Sequence, residues 1–306
     1  MAIEGVRPFF PPLATHASPH VDLEGALPRV PTGVPDFDYL TGGIPAGSLV
    51  LLVGEAGAGH QEFALTSAVH LMLHYDDPDL HRFYLGSARG PFVYPDGVAY
   101  VSTSRSREQV LDEVKGSFAG TYPEVLVRHL SFHDLSPTYF RDTVVPSSWA
   151  TLPGPLLSED RPPPAASGAD GPLRALADAL EASGPRNLLI VDSLTDLLVR
   201  QGIDPNDVLT MLKGLRRRAK GWGGVVYLLL SEGVAPPAVE HAIADSVDGV
   251  LQFRWTSSPN YSHRQRSMLI PKFMPLLSRL PAEYHGRFVI RVNAANGLVT
   301  TQYERV

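Results

Sequence analysis

Short apolar segments that alternate with longer amphipathic segments constrain the fold of this chain more than any other feature. The apolar segments are too short for free-standing helices, and their aliphatic, β-branched composition suits strands buried on both faces. They span residues 48–53, 98–102, 125–132, 187–192 and 225–230. The amphipathic segments have helical spacing and span residues 62–74, 107–118, 173–182 and 206–220. This alternation predicts an α/β fold with a parallel sheet covered by helices.

The pattern changes after residue 245, where strand-like segments follow one another with little helix between them. They span residues 249–255, 267–272, 288–292 and 299–303. The last two are separated by a turn that contains the pair Asn296-Gly297, which favours a hairpin. Consecutive strands joined by loops predict an antiparallel extension of the sheet.

Composition limits the domain organisation and the chemistry. The chain has 306 residues with 28 prolines and 27 glycines, and their positions predict a proline-rich tail over residues 1–26. A single domain is expected over residues 27–306, with insertions at about 80–97 and 133–172. Because there is no cysteine, disulfides, thiolate nucleophiles and cysteine-based metal sites are excluded.

Charge and hydropathy indicate the surroundings of the protein. A net charge of −6 disfavours a protein that coats nucleic acid or an anionic membrane. The apolar runs are too short to span a bilayer, and the first residues lack the pattern of a signal peptide. We therefore expect a cytoplasmic protein that does not bind membranes.

A glycine-rich loop follows the first apolar segment and precedes the first amphipathic segment. Such a strand-to-helix loop binds phosphate groups through backbone N–H groups, and nucleotide triphosphatases have the pattern G-x-x-x-x-G-K-[ST]. Gly54 and Gly59 have the required separation, but His60 replaces the lysine and Gln61 replaces the hydroxyl residue. The candidate nucleotide-binding residues of this loop are Gly54, Glu55, Ala56, Gly57, Ala58, Gly59, His60 and Gln61.

The two replacements weaken the loop as part of a triphosphatase. Histidine is shorter than lysine and mostly neutral at pH 7, and a glutamine amide displaces the metal ion that a hydroxyl would bind. The glycines and the helix N-terminus still supply N–H groups for an anion. The loop therefore predicts a site that holds ATP and Mg²⁺ weakly or not at all, and a glycine-rich turn without any ligand is the other interpretation.

A longer part of the chain resembles the KaiC/RadA branch of the RecA-like ATPases. Residues 29–48 are similar to the "stGi..LD.llgGGip.Gs" signature that leads into the phosphate loop of that family. Residues 187–193 resemble its Walker B strand, with Asp192 as the terminal aspartate, and residues 239–251 resemble "veh.aDgvi.l". The resemblance implies a RecA-like P-loop NTPase fold, with a mostly parallel twisted sheet flanked by helices and antiparallel C-terminal strands.

Residues that drive hydrolysis in this family are replaced. The family has paired glutamates after the second core strand, one of which activates water, whereas this chain has Ser104 and Arg105. The "KMRG" segment, which contacts the γ-phosphate of the neighbouring subunit, corresponds to residues 272–275. Lys272 is retained and is a further candidate nucleotide-binding residue, but Met274 replaces the arginine. Loss of such an arginine lowers the rate by orders of magnitude.

The role of Asp192 stays open at the level of the sequence. The resemblance implies that this carboxylate binds Mg²⁺. A carboxylate at the end of a strand also caps the following helix, here together with Ser193 and Thr195.

The leading hypothesis is a KaiC-like protein with a degenerate nucleotide site, which acts as a non-hydrolysing or very slow regulatory or scaffolding module. It assigns no catalytic residue. The resemblance implies assembly with further copies of the chain or co-assembly with an active relative, and a protein partner is expected.

Two alternatives remain. The first is an active ATPase that uses His60 and a carboxylate from Glu55, Glu62 or Glu108. The second is a recombinase-like module that binds DNA through a basic cluster on one predicted helix, comprising Lys213, Arg216, Arg217, Arg218 and Lys220. In RecA-like recombinases the DNA-contacting loop follows the fifth core strand. The corresponding segment of this chain, residues 231–241, contains no lysine or arginine, so nucleic-acid binding is disfavoured.

Overall fold

The computed structural model describes residues 27–86, 88, 90–150, 171–257, 264–280 and 287–303. The predicted tail over residues 1–26 lies outside the described residues, and so does the part of the second predicted insertion between residues 151 and 170.

The described residues form strands and helices in alternation up to the last third of the chain. In chain order they are β1 (Arg29–Val30), α1 (Pro35–Thr41), β2 (Ile44–Pro45), β3 (Ser48–Gly54), α2 (His60–Asp76), α3 (Pro78–Leu85), β4 (Val98–Ser102), α4 (Arg107–Ser117), α5 (Tyr122–His129), β5 (Leu130–Asp134), α6 (Ser136–Tyr139), α7 (Ser147–Ala150), α8 (Pro172–Ser183), β6 (Leu188–Asp192), α9 (Leu194–Val199), α10 (Pro205–Trp222), β7 (Val225–Ser231), α11 (Pro237–Ser246), β8 (Gly249–Ser257), β9 (Arg264–Lys272), α12 (Met274–Leu277), β10 (Arg287–Asn293) and β11 (Gly297–Tyr303).

Within the described part of the chain, nine strands form one sheet in the order β11-β10-β9-β8-β3-β7-β6-β4-β5. The strands from β8 to β5 pair in parallel. β9, β10 and β11 extend the sheet by antiparallel pairing, and Asn293 faces Gly297 at the β10–β11 turn. These pairings confirm the predicted parallel sheet and its antiparallel C-terminal extension.

One predicted strand is wrong over most of its length. Residues 125–132 include most of α5 and only the first residues of β5. Helix α5 has a proline in its first turn and buries Tyr122, Val125 and Leu126, which have helical spacing. The apolar composition of the segment suggested a strand, but the spacing of its buried residues is that of a helix.

The sheet is buried on both faces, and alternate residues of each strand enter different cores. In β3, Val50 and Leu52 pack in the core that contains α2, whereas Leu49 and Leu51 pack in the core that contains α8 and α10. Helix α10 buries Val208, Leu212, Leu215 and Ala219, whose spacing is that of one helical face. Because the six strands from β5 to β8 are parallel, the carboxyl ends of β3, β4, β6 and β7 meet at one edge of the sheet.

The segment that precedes β3 is organised by two buried charged residues. The Asp38 carboxylate accepts hydrogen bonds from the N–H groups of Thr32 and Gly33, each at 2.8 Å. The Arg29 guanidinium donates to the carbonyls that follow and end α1, including that of Gly43 at 2.6 Å. Burial raises the pKa of Asp38 to about 7 and lowers the pKa of Arg29 to about 10. Arg29 and Asp38, which lie in the segment that resembles the family signature, therefore hold the backbone that leads into β3.

His70 of α2 is fully buried among aromatic rings. Its Nδ1 lies 2.6 Å from the carbonyl oxygen of Gly33 and donates to it, so that Nε2 accepts from the hydroxyl of Tyr122. The His70 ring stacks on that of Tyr84 with 3.8 Å between the ring centroids. Burial lowers the pKa of His70 to about 4, so this histidine is neutral at pH 7.

Substitution of Gly43 is expected to destabilise the segment before β3. Gly43 has a φ of 75°, and a Cβ there would lie 2.7 Å from the carbonyl oxygen of Val30. Because the clash is with backbone, we expect Gly43→Ala to lower the free energy of unfolding by roughly 2 kcal/mol in urea titrations. In the control Gly214→Ala, the new Cβ meets no atom within 4 Å in α10 and should raise stability by up to about 1 kcal/mol. Similar effects of the two substitutions would contradict this account.

His70 should make stability depend on pH. The unfolded chain binds the proton more tightly, so the stability that neutral His70 contributes is complete above pH 6.5 and is lost as the pH falls towards 4. The full loss corresponds to roughly 3 kcal/mol. Because Asp38, with a raised pKa, has the opposite effect, the measurement is the difference from a variant. Between pH 7.5 and 5, we expect His70→Asn to lose less stability than the wild type.

The control for this comparison is His241→Asn, since His241 is exposed on α11. That variant should lose as much stability on acidification as the wild type. Equal pH dependence in the wild type and in His70→Asn would show that His70 is not the group responsible.

Candidate functional site

The glycine-rich loop lies between the carboxyl end of β3, at Gly54, and the first turn of α2, at His60. Gly57 has a φ of 69° and Gly59 a φ of 120°, conformations that other residues rarely adopt. The first N–H groups of α2 have no carbonyl one turn earlier, and the helix dipole is positive at this end. The backbone therefore has the positive-φ glycines and the helix N-terminus that an anion-binding loop requires.

The ring of His60 turns back onto the loop. Its Nδ1 lies 2.7 Å from the position of a Cβ built on Gly54, and its ring centroid is 6.4 Å from that of Phe253. Nδ1 is buried and has no hydrogen-bond partner among the described residues. Burial lowers the pKa of His60, although the charges of Glu62 and Asp192 oppose this effect. His60 is therefore neutral at pH 7 and gives the loop no fixed positive charge.

The β8–β9 hairpin contacts the tip of the loop through two carbonyl groups. The indole N–H of Trp255 donates to the carbonyl of Ala56 at 3.1 Å, and Nε of Arg266 donates to the carbonyl of Gly57 at 2.9 Å. The guanidinium groups of Arg266 and Arg264 lie 4.8 and 5.3 Å from the centroid of the Trp255 ring. The hairpin thus holds the loop tip from its carbonyl side.

Arg105 follows β4 and binds the carboxylate at the end of β6. Its Nε donates to Oδ2 of Asp192 at 2.9 Å, and its Nη2 donates to the same oxygen. The Tyr100 hydroxyl also donates to this oxygen at 2.6 Å. Only 26% of the Arg105 side chain and 15% of the Asp192 side chain are exposed, so solvent screens the ion pair weakly.

The protonation of Arg105 is secured by its neighbours. Burial alone would lower the pKa of Arg105, but Tyr100, Asp192 and Glu113 outweigh this effect and raise it above the ordinary value. Arg105 is therefore a permanent cation at the carboxyl edge of the sheet.

A second carboxylate, Glu113 of α4, links this ion pair to the phosphate loop. Its Oε2 accepts a hydrogen bond from Nη1 of Arg105 and another, at 3.2 Å, from Nε2 of Gln61. The structure therefore brings Gln61, Arg105 and Asp192 into one chain of contacts. Sequence reasoning missed Glu113, since it lies in the middle of an amphipathic helix and its helical spacing alone gave no sign of a partner.

The surroundings of Asp192 do not suit a Mg²⁺ ion. Magnesium requires oxygen ligands in near-octahedral geometry at about 2.1 Å. Here Oδ2 of Asp192 accepts from a guanidinium and from a phenol, and the Gln61 amide is engaged with Glu113. Across the described ranges, no cluster of three or more His, Cys, Asp or Glu side chains has a metal-binding arrangement. The positive charge beside Asp192 is supplied by the guanidinium of Arg105.

Asp192 does not cap the helix that follows it; the neighbouring residue does. Ser193 is the N-cap of α9 and accepts a hydrogen bond from the N–H of Asp196. The hydroxyl of Thr195 instead accepts from the N–H of Ser231 at 2.8 Å. Asp192 is thus the anion that holds Arg105 rather than the cap of the helix.

Hydrogen-bond donors occupy both positions where the family has glutamates. Ser104 donates to Oδ2 of Asp196 at 2.8 Å, and Arg105 donates to Asp192. Neither a serine hydroxyl nor a guanidinium takes a proton from water at neutral pH. Ser104 and Arg105 therefore do not supply a general base at the end of β4.

Lys272 lies far from the loop of its own chain. In the sheet, Gly54 pairs with Phe253, whereas Lys272 pairs with Val250 near the opposite end of β8. Nζ of Lys272 donates to the carbonyls of Ala244 and Asp245, which end α11, at 2.8 and 3.0 Å. The structure does not bring Lys272 together with the other candidate residues of the chain.

The carboxylates of the alternative ATPase hypothesis are scattered. Glu55 lies 3.9 Å from Arg264 of the hairpin, Glu62 lies in the first turn of α2, and Glu108 is exposed on α4. Arg105 donates hydrogen bonds to Asp192 and Glu113 and to none of these three carboxylates.

Three of the five basic residues of α10 have acidic partners within the chain. Arg216 and Lys220 pair with Asp248, and Arg218 pairs with Glu181. These pairs favour an exposed helix with satisfied charges over a surface for phosphate groups.

No protein-family model and no curated protein sequence matches the chain. The solved structures that are similar to it include the following two. The crystal structure of the KaiC-like protein PH0186 from Pyrococcus horikoshii OT3 has a TM-score of 0.56 and 17% identity, covering 90% of this chain and 100% of its own. The flagellar accessory protein FlaH from Methanocaldococcus jannaschii has a TM-score of 0.57 and 16% identity, covering 90% of this chain and 99% of its own.

These comparisons bear on the fold. They confirm the predicted RecA-like α/β architecture of the KaiC type over nine tenths of the chain. Among the helices in the described ranges, none has the length and apolarity needed to cross a bilayer.

The strength of the central ion pair can be measured by a double-mutant cycle. We expect Arg105→Ala and Asp192→Asn to show a coupling of about 1–3 kcal/mol in the free energy of unfolding, because each leaves a partly buried partner unpaired. The control is the pair Arg174–Asp178, whose side chains are 67% and 61% exposed. Its coupling should be no more than about 0.5 kcal/mol. Equal coupling in the two pairs would contradict a special role for Arg105.

Proposed function

We propose that this chain is a RecA-fold regulatory or scaffolding module that does not hydrolyse nucleotide, or does so very slowly. The observation that carries the proposal is the ion pair between Arg105 and Asp192. In the family that the sequence resembles, the first position supplies a carboxylate that activates water and the second a ligand for Mg²⁺. Here Arg105 stands at the first position, and its guanidinium forms an ion pair with Asp192 at the second.

The other parts of the site support the same conclusion. Phosphoryl transfer depends on a positioned nucleophile and on cations that stabilise the developing charge. His60 is neutral in its buried position, and Met274 stands where the family has an arginine. Ser104 and Arg105 therefore supply no base, the loop has no lysine, and Oδ2 of Asp192 is already paired with Arg105.

The loop is proposed to hold a phosphate-bearing ligand such as ATP weakly. The glycines at positive φ and the N-terminus of α2 favour an anion, and Arg266 adds a positive charge beside the tip. The neutral ring of His60 removes the strongest attraction that a triphosphate finds in an active loop. Weak binding without turnover suits a module that reports on nucleotide or supports an assembly.

We propose that the module acts through protein contacts, either in a homo-oligomer or in co-assembly with an active relative. Lys272 supports this view, because its distance from the loop of its own chain means that any nucleotide contact must be with a second copy. Met274, two residues further along the chain, has an exposed fraction of 81% and is accessible to such a second copy.

The proposal is tested by measuring phosphate release and nucleotide binding on the same protein. We expect no phosphate release from ATP and Mg²⁺ above the blank. In the double variant His60→Lys, Gln61→Thr, which restores the residues of an active loop, ATP should bind about ten-fold tighter or more, since a charged lysine contacts the phosphates. Turnover should still be absent, because Arg105 and Ser104 remain at the end of β4.

Two outcomes would contradict the proposal. The first is turnover by the wild-type protein that disappears in His60→Ala, which would favour the ATPase alternative. The second is turnover by the double variant, which would show that the end of β4 does not limit the chemistry. Gly214→Ala serves as a control for handling, since it lies on α10 away from the loop.

A further inference from the structure

One cation and two anions meet beside the phosphate loop. Arg105 donates to Oδ2 of Asp192 from two nitrogens and to Oε2 of Glu113 from a third. The side chains of Arg105 and Asp192 are largely buried, whereas that of Glu113 is 46% exposed. The two carboxylates come from β6 and α4, so this guanidinium joins elements that are distant in the sequence.

The two carboxylates would repel each other without the guanidinium. Their oxygens converge on one group, and oxygen atoms of carboxylates are the ligands that hard divalent cations prefer. The amide of Gln61 lies beside Glu113, and its oxygen becomes available if the side chain rotates. Removal of Arg105 would therefore leave two carboxylates and an amide oxygen close together, with Asp192 largely buried.

We propose that Arg105 is a resident cation that takes the place of a divalent metal at this edge and keeps Mg²⁺ out. The donor set of Asp192, Glu113 and Gln61 is a latent metal site that Arg105 occupies. The inference rests on the proposed function, because it concerns the same edge of the sheet. It adds that the positive charge opposite the phosphate loop is part of the chain and does not depend on the concentration of magnesium.

The test uses Mn²⁺ alone, whose free form is measured by electron paramagnetic resonance. The wild-type chain should show no Mn²⁺ binding that depends on Asp192. Arg105→Ala should gain one Mn²⁺ site per chain that the wild type lacks, because the two carboxylates lose the cation that pairs with them. The gain should disappear in the double variant Arg105→Ala, Asp192→Asn.

Two further variants keep the test decisive. Arg105→Gln removes the charge but keeps a polar side chain longer than that of alanine. If Arg105→Ala does not fold, as judged by circular dichroism, the same Mn²⁺ measurement is made on Arg105→Gln. Arg105→Lys keeps a cation and should bind as little Mn²⁺ as the wild type.

The proposal is overturned if the wild type binds Mn²⁺ and loses it on Asp192→Asn, or if neither neutral variant gains a site. These outcomes are independent of phosphate release, which tests the proposed function. A chain that turns over ATP but excludes Mn²⁺ would defeat the proposed function alone, and a chain that binds Mn²⁺ through Asp192 without turnover would defeat only this inference.

Discussion

The parallel pairing of the central strands is the constraint on which the rest of the structure depends. Since β3, β4, β6 and β7 run in the same direction, their carboxyl ends and the loops that follow them lie at a single edge. Residues that are far apart in the sequence, such as Gln61, Arg105 and Asp192, become neighbours for this reason. Burial of the sheet on both faces specifies the register of its strands.

The charges at this edge are paired within the chain, although strand, glycine-rich loop and helix follow one another as in a phosphate-binding loop. An active site of that kind leaves its carboxylates free for metal and water, and it places a lysine in the loop. In this chain the carboxylates of Asp192 and Glu113 are neutralised from within, and the loop histidine is kept neutral by burial. The similarity to the KaiC-like and FlaH structures therefore extends to the sheet, while the chemistry has to be argued from the side chains of this chain.

The sheet could be predicted because its signals are local. A short apolar run such as residues 225–230 indicates a buried strand by its own composition, and an Asn-Gly pair indicates a hairpin turn. Residues 125–132 were misassigned because a short apolar run does not distinguish a strand from a buried helical face. The departures at His60, Gln61, Ser104 and Arg105 were visible in the sequence as well. Their consequences were not, because the partners Glu113 and Asp192 are brought in by tertiary packing, which no local pattern encodes.

The contacts of Trp255 and Arg266 with the loop carbonyls have a consequence for how the site could transmit information. Loops that become ordered only when a phosphate arrives can report occupancy by that ordering. Here the hairpin already holds the tip of the loop through Ala56 and Gly57. A ligand would then enter a preformed site without paying for its construction, and it would change the local charge more than the local shape. Any partner that distinguishes the occupied from the empty chain must accordingly sense the field of the bound anion or touch the anion itself.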